Sequence, residues 1–181
     1  MKQTICIIGG QFRGKKLHFP AIDGLRPTPS RVRETLFNWL MHDIRDAHCL
    51  DAFSGSGALG IEAYSRGAAN VLLLEQNPIA YANLLKQVSL FKSSKLNVRN
   101  VDATKFLQQT NEQFDIVFLD PPFASDHLAL CIALLAKANL LKAGGLLYLE
   151  SAHVIDMDES IWQQLKSNRA GQIVYSLYMK R

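Results

Sequence analysis

Short apolar runs that alternate with stretches of helical periodicity constrain this chain more than any other feature. The runs are "HCLDAF" (48–53), "NVLLLEQ" (70–76), "NVRNVD" (97–102), "FDIVFLD" (114–120) and "GGLLYLE" (144–150). Between them lie a helix running to about Arg66, a helix opened by Pro78 at a first-turn position, a short helix around "ATKFLQQ", and a helix from about Asp126 to Ala138. Strands separated in this way pair side by side through helical crossovers, which predicts an open, mainly parallel α/β sheet. A length of 181 residues with 48% hydrophobic side chains suits one domain with a substantial core.

Both ends depart from the alternation. "TICIIGGQFRGKKLHFP" reads as two short strands joined by a glycine-containing turn. "PSRVRETLFNWLMHDI" carries a helical apolar face of Val32, Leu36, Trp39 and Leu40, with Ser30 as its N-cap. After Glu150, Ala170 and Gly171 separate two runs, and "QIVYSLYMK" is rich in β-branched and aromatic residues; a closing antiparallel hairpin is favoured over a helix plus a strand. The expected organisation is a single domain over 1–181, with a basic hairpin-and-helix extension (1–46) on a core (47–181), and no repeat, low-complexity tract or linker.

Charge is distributed unevenly. Residues 1–35 hold Lys2, Arg13, Lys15, Lys16, Arg26, Arg31 and Arg33 against Asp23 and Glu34, an excess larger than the whole chain's net charge of +4. A positive patch at one end suits a phosphate backbone as well as it suits an ordinary solvated surface. No apolar run approaches the roughly 20 residues that span a bilayer, so a cytoplasmic location with no membrane partner is expected. Cys6, Cys49 and Cys131 are widely spaced among apolar neighbours and read as buried free thiols. No histidine or cysteine pair stands at ligand spacing, so no metal is expected.

The loop after the first central strand, "SGSGALG", places Gly55, Gly57 and Gly60 in a G-x-G-x-x-G pattern between a strand and a helix. Nicotinamide and flavin enzymes use the same glycines to bring backbone amides to a pyrophosphate. Here, however, Asp51 lies at the end of that strand, where a carboxylate suits an amino group better than a doubly charged pyrophosphate. Glu75 ends the second strand, placed to accept from ribose hydroxyls, and Asp102 ends the third, where an adenine edge would lie. Ribose plus ammonium without a phosphate clamp describes S-adenosylmethionine. Phe53, Ser56, Gln76 and Ala103 flank these positions and complete the expected cofactor-binding set, with Asp120 at its reactive end. Each acid also has a plain alternative: Asp51 could cap the turn, Glu75 could be a solvated strand end, and Asp102 could cap the helix at Ala103.

The fourth strand ends in "DPPF", Asp120 to Phe123, on the same edge as the other acids. Pro121 and Pro122 fix φ and remove two backbone donors, which stiffens the loop. A planar exocyclic amine matches the group: Asp120 and the Pro121 carbonyl accept its two N–H bonds, and Phe123 stacks on the ring, an interaction worth about 1–3 kcal/mol for any base. Asp120 could also take up the proton released on transfer.

"DAFSGSGALGIEA" and "DPPF" resemble the glycine loop and catalytic motif of class I methyltransferases acting on amino nitrogens, and "IIGGQFRGKKL", "GLRPTPSRVRETLFNWL" and "AGQIVYSLYMKR" resemble the RsmD family of bacterial 16S ribosomal RNA guanine-N2 methyltransferases. The resemblance implies a Rossmann-like class I methyltransferase fold: a mostly parallel seven-stranded sheet with a C-terminal antiparallel hairpin and a small N-terminal hairpin plus helix. It implies S-adenosylmethionine at Asp51, Gly55, Gly57, Glu75 and Asp102, a guanine amine at Asp120–Phe123, and Arg26, Thr28, Arg31 and Arg33 near the site or the RNA, with Arg13, Lys15 and Lys16 as further RNA contacts. The partner would be 16S ribosomal RNA in an assembled or partly assembled 30S subunit, met by a monomer. Because "DPPF" is shared with DNA adenine and protein glutamine methyltransferases, a DNA adenine-N6 enzyme stays open on chemistry alone, as do a nicotinamide oxidoreductase and a basic, non-catalytic RNA-binding assembly factor.

Overall fold

The structure, a computed structural model, describes residues 2–22, 27–122, 126–137 and 139–181. A hairpin of β1 (Lys2–Cys6) and β2 (Lys16–Pro20) comes first, then α1 (Ser30–Trp39). The alternating section follows as β3 (His48–Asp51), α2 (Ala58–Ser65), β4 (Asn70–Leu74), α3 (Pro78–Ser89), β5 (Leu96–Arg99), α4 (Ala103–Gln109), β6 (Phe114–Leu119), α5 (His127–Lys137) and β7 (Leu141–Ser151). A second hairpin, β8 (Trp162–Ala170) and β9 (Ile173–Lys180), closes the order.

β3 to β9 form one seven-stranded sheet in the order β5-β4-β3-β6-β7-β9-β8. β5, β4, β3, β6 and β7 pair in parallel, whereas β9 is antiparallel to both β7 and β8. β9, buried along most of its length, is an interior strand; β8 takes the edge with exposed Gln163, Lys166 and Arg169, side chains that discourage pairing with another chain. The expected parallel sheet and terminal hairpin are therefore both present.

Two apolar layers flank the sheet because its strands alternate sides. Ile116, Phe118 and Tyr148 meet Leu36 and Phe37 of α1 on one face, while Val117, Leu119 and Leu147 meet Phe106 of α4 and Leu135 of α5 on the other. The hairpin β1–β2 adds Ile7 and Leu17 to the first layer.

The boundaries differ from the sequence pattern in a consistent way. β3 to β6 stop one to three residues early, since the residues around the terminal acids leave the ladder to build loops. β7 starts at Leu141, and its pairing with β6 shifts register between Phe114 and Ile116, an irregularity that lets it begin before Gly144. Ser30 does not cap α1: Pro29 occupies the N-cap position without a side-chain bond, and Ser30 is the first helical residue. Cys49 and Cys131 are buried, but Cys6 is exposed, because β1 belongs to a two-stranded hairpin with one open face.

Candidate active site

Strand register assembles the acids. Asp51 pairs with Phe118, and Phe118 with Tyr148, so these three form one row across β3, β6 and β7. Leu119 pairs with Leu149, which puts Asp120 and Glu150 side by side at the next position, on the face that Phe118 and Tyr148 share. Neighbouring strands lie about 4.8 Å apart. Two carboxyls in matched positions at the carboxyl edge are thus forced into the same space.

A cavity of about 800 Å³ opens over this edge. Asp51, Phe53, Gly55 and Ser56 line one side, Asp120, Pro121, Pro122 and Glu150 the floor, Pro27 and Thr28 the wall before α1, and Ala170, Gln172 and Ile173 of the β8–β9 turn the remaining wall. No lysine, arginine or histidine is among the described lining residues.

The glycine loop holds its shape through the acids beside it. Gly57 adopts φ +79° as it leads into α2, a conformation in which any side chain is strained, and a Cβ there would also meet Leu84 at 2.6 Å. The amide of Gly60 donates to Asp51 Oδ2 at 2.9 Å, and a Cβ on Gly60 would stand only 3.0 Å from that oxygen. Glu75 accepts from the amides of Gly55 (2.8 Å) and Asn77 (2.7 Å), so it clamps the loop to the start of α3. Asp102 caps α4, accepting from the Lys105 amide at 3.0 Å and from the Thr104 hydroxyl. Its plain alternative as a helix cap is therefore realised, and bonds to Thr104 and Lys105 hold its carboxyl below the usual range against the opposing effect of burial.

Burial dominates the electrostatics of the cavity. It raises Asp51 from an ordinary 3.8 to about 7, against the bonds from Gly60 and Ser54. Asp120 is pushed well above the carboxylate range, first by burial and then by Glu150 and Asp51. Glu150, only 1% exposed, is raised by burial, although Tyr148 donates to its Oε1 at 2.9 Å. The Thr28 hydroxyl donates to Asp120 Oδ2 over 3.4 Å and also interacts with Glu150.

Thr28, Asp51, Phe53, Gly55, Ser56, Asp120, Pro121 and Pro122 converge at the cavity, Gly57 stands just behind it at the start of α2, and the other expected residues do not line it. Glu75 and Asp102 lie outside the cavity lining, as do exposed Gln76 and buried Ala103 at the start of α4. Phe53 extends the site toward them: its ring faces His127 at 6.1 Å, and His127 in turn acts electrostatically on Asp102. Phe123 and Arg26 fall outside the described residues. Arg33 is not at an RNA surface but 1% exposed, in an ion pair with Glu62 at 3.4 Å and donating to the carbonyls of Thr28 (3.2 Å) and Cys6 (3.0 Å). Arg31 is exposed at the start of α1. Exposed Arg13, and Lys15 with its ammonium 4.0 Å from the Phe91 ring, belong to the β1–β2 turn, which is bound to Ser65 at the far end of α2, and exposed Lys16 opens β2 beside them.

Sequence reasoning missed Glu150, Tyr148, Glu62 and the β8–β9 turn. Glu150 carried the same signal as Asp51, Glu75, Asp102 and Asp120, since it closes an apolar run, and Glu62 stood out as a charge within the apolar helix "ALGIEAYS".

These residues fit S-adenosylmethionine. The cavity is large enough, its buried Asp51 suits an amino group, and the Nδ1 of His127, beside Phe53, is buried with no hydrogen-bond partner among the described residues, a polar atom left for a ligand edge. Sheet order, glycine loop and acid-lined carboxyl edge together define a class I methyltransferase fold, and the comparisons with known proteins narrow the class. The family model described as "Conserved hypothetical protein 95" matches residues 5–179. Ribosomal RNA small subunit methyltransferase D of Escherichia coli K12 is 44% identical over 97% of this chain and 90% of its own length. A solved Escherichia coli structure superposes with TM-score 0.92 at 44% identity, covering 99% of both chains. At 21% identity, a Thermus thermophilus 16S rRNA N2 G1207 methyltransferase, solved with S-adenosylmethionine and guanosine, shares the fold with TM-score 0.75 over all of this chain and 50% of its own. The chain belongs to this family, the RsmD methyltransferases.

Proposed function

We propose that the protein methylates the exocyclic N2 of a guanine in 16S ribosomal RNA, within an assembled or partly assembled small subunit, and that it does so as a monomer. The observation that carries the reading is the pairing of Asp120 with the stiff Pro121–Pro122 loop on the edge that also holds Asp51. S-adenosylmethionine, when bound, supplies a methyl on a positively charged sulfur. Asp51 would hold the amino group of the cofactor, Gly55 and Gly57 would let the backbone approach it closely, and Glu75 would keep the loop in place and meet the ribose. Asp102, Ala103 and Gln76 would border the adenine, with Phe53 beneath.

Asp120 and the Pro121 carbonyl would accept the two N–H bonds of the amine, aiming its lone pair at the methyl. A nitrogen that gains a methyl carries a proton too many, and the Asp120 carboxylate, made more basic by burial and then by Glu150, would be placed to take it. Residues 121–123 would support the base, which must leave its stack at a cost of a few kcal/mol. The family name of the relatives favours ribosomal RNA over DNA, and the basic amino-terminal segment agrees with a nucleic-acid partner.

The test is transfer of labelled methyl from S-adenosylmethionine into small-subunit particles lacking the modification, followed by digestion and mass spectrometry. Label in N2-methylguanine is the expected outcome; label confined to adenine or to protein would refute the reading. An Asp120→Ala variant should lose at least about 10²-fold in turnover, with cofactor affinity within a few-fold of the parent by calorimetry.

A further inference from the structure

Asp120 and Glu150 form a pair that the transfer chemistry alone does not need. One carboxylate and one carbonyl suffice to orient an amine, yet the register of β6 and β7 sets a second carboxyl directly beside the first. The pair is also short of donors. Among the described residues Asp120 receives only the Thr28 hydroxyl at 3.4 Å, and Glu150 receives Tyr148 and competes for the same single Thr28 proton. No cation among the described lining residues compensates them. Buried acceptors outnumber donors: the free pair can meet the shortage by keeping a proton, and a ligand edge that brings N–H groups would take that proton's place.

We propose that Glu150 is the specificity residue of the site, accepting the N1–H of guanine while Asp120 and the Pro121 carbonyl accept the N2 amine. The inference rests on the guanine-N2 reading above. Guanine offers N1–H beside N2–H₂ on one edge, a row of donors that matches two adjacent carboxyls. Adenine offers its amine beside N1, which is a bare acceptor, so its lone pair would face the Glu150 oxygens. A site built to accept an N–H rejects an analogue lacking it far more strongly than a site that merely fits its shape. The Tyr148 hydroxyl, donating to Oε1, fixes the Glu150 side chain so that its other oxygen can turn to the base.

The probe is 2-aminopurine, which keeps the amine of guanine and lacks the N1–H together with O6, so the response of the preference to a change at Glu150 is what assigns it to N1–H. Small-subunit particles are reconstituted with 16S RNA carrying guanine or 2-aminopurine at the position the enzyme methylates, and initial rates are compared. The parent enzyme should prefer guanine by about 10²-fold or more in kcat/KM. In Glu150→Gln the carboxamide can present either a carbonyl or an amino group, so this preference should shrink at least tenfold, with the guanine rate lowered and the 2-aminopurine rate maintained or raised. Equal rates on the two particles with the parent enzyme would overturn the role of Glu150 while leaving amine methylation intact. Transfer to neither amine, with label found in another base, would instead overturn the underlying reading. Equal parent rates overturn the proposal whether or not Glu150→Gln folds, and Glu150→Asp, which keeps the carboxylate, supplies a second variant whose guanine preference should exceed that of Glu150→Gln.

Discussion

Asp51 is the residue whose protonation should be easiest to observe. A buried carboxyl raised to about 7 must be ionised to receive a cationic amino group. Below pH 7 each binding event has to expel one proton, so affinity for S-adenosylmethionine should fall by about tenfold per pH unit there and level off above pH 8. Calorimetric titrations from pH 5.5 to 8.5 check this, and a flat profile would mean that Asp51 does not face the amino group. Stability of the cofactor-free protein should move the other way. A carboxyl raised on folding lends stability that is complete below its ordinary 3.8 and is lost as pH rises through about 7, so melting temperature should decline between pH 5 and 8. Asp51 and Asp120 were legible in the sequence because each closes an apolar run. Glu150 closes one too, but its partnership with Asp120 depends on the β6–β7 register, and the shift between Phe114 and Ile116 is invisible to a pattern of hydrophobicity.

Arg33 and Glu62 act at the scale of elements. Glu62, fully buried in α2, accepts from the amides of Ile8 (2.9 Å) and Gly9 (2.8 Å), from Arg66 at 2.8 Å and from Arg33 at 3.4 Å. One carboxylate therefore binds the amino-terminal hairpin, α1 and α2 together, and Arg33 extends the link to the Thr28 carbonyl, at the wall of the cavity. Removing Glu62 would leave Arg33 buried without a carboxylate partner, a loss of about 3–5 kcal/mol, whereas removing Arg33 leaves Glu62 with Arg66 and two amides. Glu62→Ala should lose stability on that scale in urea unfolding, Arg33→Ala less, and Arg31→Ala, at an exposed position, should change it by less than about 0.5 kcal/mol. Reading both arginines as surface residues was the natural consequence of their charge: only the packing of "ALGIEAYS" against the hairpin separates them. The alternating strands and helices were plain from periodicity, while loop starts were not, since chain leaves a ladder where a carboxylate can hold a turn.

At the scale of the whole molecule, the basic β1–β2 turn and the cavity lie at different ends of the same layer, although residues 27–29 of the same amino-terminal segment line the cavity. α2 and α3 both run from the carboxyl edge of the sheet back to the other edge, and the β1–β2 turn is anchored near their distal ends, at Ser65 and Phe91. A helix of the length of α3 spans about 18 Å. RNA touching both Arg13 or Lys16 and the cavity would therefore be followed along the hairpin rather than held only at the reacting base. Arg13→Glu and Lys16→Glu should each raise KM for the particle with little change in turnover, and each should flatten the dependence of log affinity on log salt by about 0.7–0.9 for every phosphate no longer neutralised. Unchanged slopes would remove that turn from the footprint. The clustering of charge in the amino-terminal residues was evident from the sequence; its separation from the site was not, because it follows from which way two helices point.

The cation-free lining of the cavity has one more effect. Asp51, Asp120 and Glu150 share a low-dielectric space that no described lysine or arginine enters, so the pocket is hostile to phosphate while hospitable to bases. Such a pocket should favour an uncharged base over a ligand that carries phosphate. Guanosine should accordingly compete for the site better than guanosine triphosphate in an inhibition assay, and the cell's large pool of free nucleotides would leave the enzyme unoccupied and available for its polymer.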